Sequence, residues 1–251
     1  MNNYTKEESD ERQQIIDNIG KYGCHLITIE ADNYMPAFVY SIGLYHRFRH
    51  PEIVCFGLST ELMAGLINDA CYMIKNGLEL RPDNRYSQFI EGNDVQFLSV
   101  DKNYYKDYLG YARWFYNKSL DFPTLQLVWP DKRQSFPWDP EFNQSWKYKQ
   151  PLLDRNTDFK FHEDRKLRIF TTKQALEGGT VLYVYHNEDG DWQFHTSLDP
   201  QSEDAKIVSF ETITQIDPSL NEIFHLQFGW WAWRENKDGA WRYEKHSDGT
   251  S

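Results

Sequence analysis

Residues Pro36–Ser59 read PAFVYSIGLYHRFRHPEIVCFGLS, and their interpretation decides the fold class. Two apolar runs, AFVYSIGL and EIVCFGL, flank a short basic cluster, HRFRH. Each run has the length and the β-branched and aromatic content of a strand. The cluster then reads as the connection between two strands. The next stretch, STELMAGLINDACYMIKNG, has helical periodicity: Leu62, Leu66, Ile67, Ala70 and Ile74 form an apolar stripe. Ser59 is a good N-cap, Glu61 suits the first turn, and Gly77 stops the helix. Strand, strand, helix is the start of an α+β domain.

The pattern extends in both directions. Residues 7–22 read as an amphipathic helix carrying Ile15, Ile16 and Ile19, with Gly20 and Gly23 bracketing its end. CHLITIEA alternates like a strand, as do DVQFLSV and TLQLVWP; between the last two lies a tyrosine-rich helix, NYYKDYLGYARWFYN. The segment from Pro130 to Asn156 holds four of the ten prolines and little periodicity, so it reads as an irregular cover or linker. A boundary follows near Arg155–Asp158. The expected architecture has two parts. An N-terminal α+β domain, residues 1–155, carries strands at Cys24–Glu30, Phe38–Leu44, Ile53–Leu58, Val95–Val100 and Leu125–Trp129 in one mostly antiparallel sheet or split-barrel-like arrangement. A smaller α+β domain, residues 156–251, carries two β-hairpins. These are TVLYVYHNEDGDWQFHT and GWWAWRENKDGAWRYEK, which share N-x-D-G-x-W-x-[FY] at Asn187–Phe194 and Asn236–Tyr243. Asp-Gly is hairpin turn chemistry, and that alone accounts for the echo.

Charge and composition exclude several functions. The net charge is −11, against the basic footprint that nucleic-acid binding needs. No apolar run approaches the roughly 20 residues of a membrane span, and MNNYTKEESDERQQ lacks the apolar segment of a secretory signal. A cytoplasmic location is expected. Aromatic residues make up 16% of the chain, with nine tryptophans, a load typical of folded chains and of interfaces. Cys24, Cys55 and Cys71 fall in apolar or helical stretches and read as buried thiols rather than a disulfide framework. Residues 1–155 carry 17 basic and 21 acidic side chains; residues 156–251 carry 10 and 17. Between Gln174 and Ala205 there is no Lys or Arg, yet there are seven acids.

Candidate chemistry is sparse. His46, Arg47, Arg49 and His50 have the groups to hold a phosphate, but a solvated connection explains them as well. His186 and His195 flank the first hairpin turn, and a metal there would need Asp189 or Asp191; the E-D-G-D sequence suits a tight exposed turn better. No G-x-S-x-G, P-loop or G-x-G-x-x-G pattern occurs, and Gly178-Gly179 reads as a helix stop. No catalytic residue, metal or cofactor is expected from these patterns.

Three resemblances add to this reading. Residues Asp17–Trp129 resemble a bacterial family known only as a domain of unknown function, family 4262. The likeness lies in NIGKYGCHLITIE and in P-x-F-x-Y-[ST]-[IV]-G-L followed by H-P-E-[IL]. It implies no established activity. The same order of segments is similar to the flavin-reductase type of split β-barrel, which implies flavin contacts near Ser41, Arg47, Arg49 and Ser59. The last 90 or so residues resemble small domains of toxin-system immunity proteins, through VLYVYHNEDGDWQF and a D-P-S-L…G-x-x-A-x-R…W pattern. The leading expectation is therefore a non-enzymatic, cytoplasmic immunity protein that occludes a cognate toxin with a basic surface. Its partner-binding residues would be Glu188, Asp189, Asp191, Trp192, Asp199, Glu203 and Asp204. The alternative is a split-barrel flavin-binding protein or oxidoreductase using the first domain.

Overall fold

A computed structural model describes residues 6–32, 35–155 and 158–246. The chain divides into two compact units, Met1–Arg155 and Asn156–Ser251. Each is α+β, built on a mixed six-stranded sheet.

In the first unit, α1 (Lys6–Tyr22) leads into β1 (His25–Ile29) and β2 (Phe38–Ile42). A short α2 (Leu44–Phe48) connects β2 to β3 (Glu52–Phe56), and α3 (Thr60–Lys75) follows. The remaining elements are β4 (Arg85–Ile90), β5 (Asn93–Ser99), α4 (Tyr105–Tyr108), α5 (Gly110–Phe115) and β6 (Thr124–Val128). The strand order is β1-β2-β3-β6-β5-β4, with β3 and β6 parallel and the other neighbours antiparallel. All five expected strands share this sheet. It does not close into a barrel: β1 and β4 are opposite edges, because the β3–β6 crossover puts the β4–β5 hairpin on the far side. Of the two arrangements expected, the mostly antiparallel open sheet is the one that forms.

Every residue of β2, β3 and β6 is buried, so the sheet is sealed on both faces. On one side, Met63, Leu66, Ile67, Ala70 and Ile74 of α3 pack on Val39, Ile53, Cys55, Leu125 and Leu127. Ser59 accepts from the Leu62 N–H and caps this helix, as expected. Leu62 itself is largely exposed, and Met63 takes the core position instead. On the other side the packing is aromatic, with Tyr108 edge-on to Phe38 (5.6 Å) and to Phe56 (5.2 Å). The tyrosine-rich stretch is not one helix. It is a 3-10 turn at Lys102–Tyr104, then α4 and α5 broken at Leu109 (φ −116°, ψ 41°). The proline-rich segment proves to be a cover. Gln126, buried in the central strand β6, donates to Pro151 O (2.7 Å) and accepts from Leu153 N (3.0 Å). Gln150 bonds both main-chain groups of Trp129. Gly57 allows the approach: at φ 75°, a Cβ there would lie 2.0 Å from Lys149 O.

The second unit contains β7 (Arg168–Thr172), α6 (Lys173–Leu176), β8 (Tyr183–His186), β9 (Trp192–His195) and β10 (Ala205–Ser209). Then come α7 (Phe210–Ile216), β11 (Trp230–Trp233) and β12 (Arg242–Lys245). The order is β10-β7-β9-β8-β11-β12, with only β7 and β9 parallel. Both expected hairpins form, as β8/β9 and β11/β12. One face is a dry core. Trp192 and Phe194 of β9 pack on Phe161 and on Phe210 of α7, with ring centroids 5.3 Å apart for Phe161–Trp192 and for Phe194–Phe210. Ile169, Val184 and Ala232 point the same way and are fully buried.

Candidate functional site

The connection that opened the sequence reading contains a buried carboxylate. Glu52 begins β3 and has no exposed surface. Its Oε2 accepts from the Ser41 hydroxyl (2.7 Å). Its Oε1 accepts from Gly43 N (2.9 Å), Tyr45 N (3.1 Å) and the Tyr116 hydroxyl. Burial pushes its pKa up, and the Tyr116, Ser41 and main-chain donors pull it back only in part. Ser41 is used again, accepting from Ile53 N (2.9 Å). The cluster therefore locks the β2–β3 connection from inside. Sequence reading missed Glu52 by treating it as the start of a strand. The available signal was one charged residue directly heading the apolar run IVCF, after a His-Pro pair.

The basic cluster is split by the fold. His46, Arg47 and Arg49 are exposed, Arg49 in the left-handed region (φ 57°) with its guanidinium 5.5 Å from the Tyr45 ring centroid. His50, expected at the surface, is buried: Nδ1–H donates to Pro51 O (2.8 Å) and Nε2 accepts from Leu80 N (3.1 Å). Burial lowers its pKa and keeps the ring neutral. Of the flavin-type positions, Ser41 is sealed against Glu52, Ser59 caps α3, and Arg47 and Arg49 face solvent. Ser41 is thus buried while Arg47, Arg49 and Ser59 are exposed.

The thiols of Cys24 and Cys71 hydrogen-bond each other, which lowers the pKa of Cys24. Cys55 is fully buried, and its thiol is pushed up to about 12.

In the second unit, the D-P-S-L…R…W pattern folds into a polar pin. Arg234 is almost fully buried. It pairs with the Asp217 carboxylate through Nη2 and donates to Ser219 Oγ (2.7 Å), Lys237 O (2.8 Å) and Val181 O (2.9 Å). Its guanidinium lies 4.4 Å from the Trp241 ring centroid. All three of its nitrogens, and four of its five N–H donors, are used within the fold, so this motif holds β11 rather than offering a site.

The other face of the second sheet is different. Register places Ile207, Phe170, Gln193, Tyr185, Trp231 and Glu244 in one row across the six strands. Tyr183 pairs with both His195 and Trp233 in the adjoining row. Tyr185 stacks on Trp231 (5.6 Å, 6°), and Trp231 on Trp233 (4.4 Å, 19°). These aromatics are only half-buried, and Ile207 and Phe170 are 50% and 38% exposed. Toward β7 and β9, the face holds a recess of about 290 Å³ lined by residues including Phe170, Asp191, Gln193, His195 and Ser202.

The expected partner residues divide. Glu188, Asp189, Asp191, Asp199 and Glu203 are exposed, and Asp204 accepts from Gln174 Nε2 (2.6 Å). Trp192 is corrected: it is fully buried and stacks on His186 (4.0 Å), so it serves the core and cannot anchor a partner. Strand parity explains the error, since Trp192 and Phe194 share the core face while Gln193 and His195 share the open one. The same parity separates His186 from His195. Among the described residues, no group of three or more His, Cys, Asp or Glu is placed to hold a metal, and no helix is long and apolar enough to cross a membrane.

No curated protein and no solved structure matches the chain. A family described as a domain of unknown function, DUF4262, matches residues 18–143, half of the chain and almost all of the first sheet with its covers. The chain belongs to the DUF4262 family.

Proposed function

We propose that this chain is a non-enzymatic binding protein that captures a basic protein partner on the open aromatic face of its second sheet. The partner we infer is a cognate toxin, neutralised in the cytoplasm by occlusion. The observation that carries the reading is the asymmetry of that sheet: one face is a packed core, the other a stacked ladder of Tyr185, Trp231 and Trp233 flanked by exposed acids. Aromatic residues that can be desolvated are the usual anchors of an interface, and complementary charge speeds encounter. The polar cluster supports a role without catalysis, because the Glu52 carboxylate is fully buried and taken up by Ser41, Tyr116 and main-chain donors.

The test looks for a toxin gene immediately upstream and, with its toxin domain in hand, measures the affinity by calorimetry on the full chain; the lack of such a gene counts against the reading. Replacing Tyr185 and Trp231 together by serine should weaken binding at least about thirtyfold, the scale of an interface hot spot. An unchanged affinity in this double variant sinks the reading.

A further inference from the structure

The recess on the open face has a chemistry narrower than that of the face around it. Phe170 and Gln193 are register partners on β7 and β9, with Asp191 and His195 two residues to either side of Gln193. Of the ten residues lining the recess, none is Lys or Arg and one, Asp191, is a carboxylate. That carboxylate is exposed, and among the described residues it has no ion-pair partner. Of the nearby hydroxyls, Thr171 donates to Phe194 O and Thr172 accepts from Ala175 N, while Ser202 is exposed. His195 is 8% exposed, with Nε2 bonded to Gln193 Oε1 (3.1 Å) and Nδ1 without a partner. An amide oxygen can only accept, so Nε2 carries the proton and Nδ1 is a free acceptor. Burial keeps this ring neutral. The recess thus offers a carboxylate and an exposed phenyl ring beside a neutral imidazole whose Nδ1 is buried, with no cation of its own.

A planar cation satisfies that set best. A guanidinium stacks on an aromatic ring while its edge forks onto a carboxylate, which the compact ammonium of lysine cannot do. We propose that the recess is an arginine pocket that takes one guanidinium side chain of the basic partner. This rests on the binding function proposed above and names the part of the partner that is read.

The experiment titrates the isotope-labelled full chain with N-acetyl-arginine amide and follows backbone amide shifts. Saturable shifts are expected at Phe170, Gln193 and His195. Asp191→Asn should weaken the probe about tenfold or more, as loss of a charge-assisted bond requires. Phe170→Ala should weaken it about threefold. Asp238→Asn, at the turn of the other hairpin and outside the recess, should leave it unchanged, and N-acetyl-lysine amide should bind at least about fivefold more weakly. Thermal melts confirm that the variants fold; Asp191 is exposed, so its variant carries the test if Phe170→Ala does not. Absent saturable shifts, equal affinity in Asp191→Asn, or equal binding of the lysine amide each overturn the proposal. No partner is present in this titration, so its failure leaves capture through Tyr185 and Trp231 to stand or fall on its own measurement.

Discussion

The two sheets have the same strand count and the same single parallel pair, yet they are finished differently. In the first, the central strands are buried at every position. In the second, strands alternate: Val184 and His186 are buried while Tyr183 and Tyr185 are half-exposed. The cause is the supply of covering chain. The first sheet has α3 on one face and α4, α5 and the proline-rich segment on the other, fastened by Gln126 and Gln150. The second sheet has α7 and the Phe159–Phe161 segment for one face only. The lesson is a division of labour. The part matched by the family is sealed and locked, and the surface with unspent aromatic area lies outside that match.

The sharpest way to break this comparison is at Glu52. Four donors converge on its carboxylate, so Glu52→Ala removes the acceptor from all four, the buried Ser41 hydroxyl and Gly43 N and those of the half-buried Tyr45 and Tyr116, at about 1–3 kcal/mol for each group left buried and unsatisfied. A loss of more than about 4 kcal/mol is expected from urea unfolding. A loss below about 1 kcal/mol would mean that the connection is not locked from inside.

The next test sets like against like. Phe56→Ala on the sealed sheet should cost about 3–5 kcal/mol, the scale of a large aromatic removed from a core. Trp231→Ala on the open face should cost about 1 kcal/mol or less, since half its surface contact is already with water. Equal losses would show that the second sheet is sealed as well, and the proposed binding face would lose its basis.

The smallest effect lies in pH dependence. Burial raises the folded-state pKa of Glu52 above its ordinary 4.5. Between that value and the raised one, the folded chain holds more protons than the unfolded chain. The contribution of this group to stability is therefore present at low pH and declines as pH rises through the folded pKa. Glu52→Gln has no such titration. Plotted against pH from 4.5 upward, the stability of the wild type relative to this variant should fall. A flat difference would mean that the four donors offset the burial completely.

Much of the first sheet was legible because its strands are continuous apolar runs, as strands buried on two faces must be. β4 was not, since Arg85, Ser87 and Gln88 give RYSQFI the look of a loop; it is an edge strand and needs little apolar surface. The tyrosine-rich stretch kept its helical character but hid the break at Leu109, directly before Gly110. In the second unit, the hairpins were clear from Asp-Gly chemistry. Which face was core was not, because aromatics occupy both parities: Trp192 and Phe194 on one side, Tyr183, Tyr185, Trp231 and Trp233 on the other. That ambiguity turned Trp192 into a supposed anchor and concealed the true ladder. Glu52 and the Asp217–Arg234 pin were hidden for a related reason, since the burial of a charge becomes visible only when its donors are in place.

The run of acids from Glu177 to Asp204 has one more consequence, for the protein at rest. An uncovered ladder of stacked indoles and phenols is adhesive, and two copies could cover it for each other. Like charge opposes that meeting: each second unit carries 10 basic against 17 acidic side chains, so approaching copies repel across a few ångströms of weakly screened water. The acids then set a charge penalty on self-association through that face, one that shrinks as salt is added.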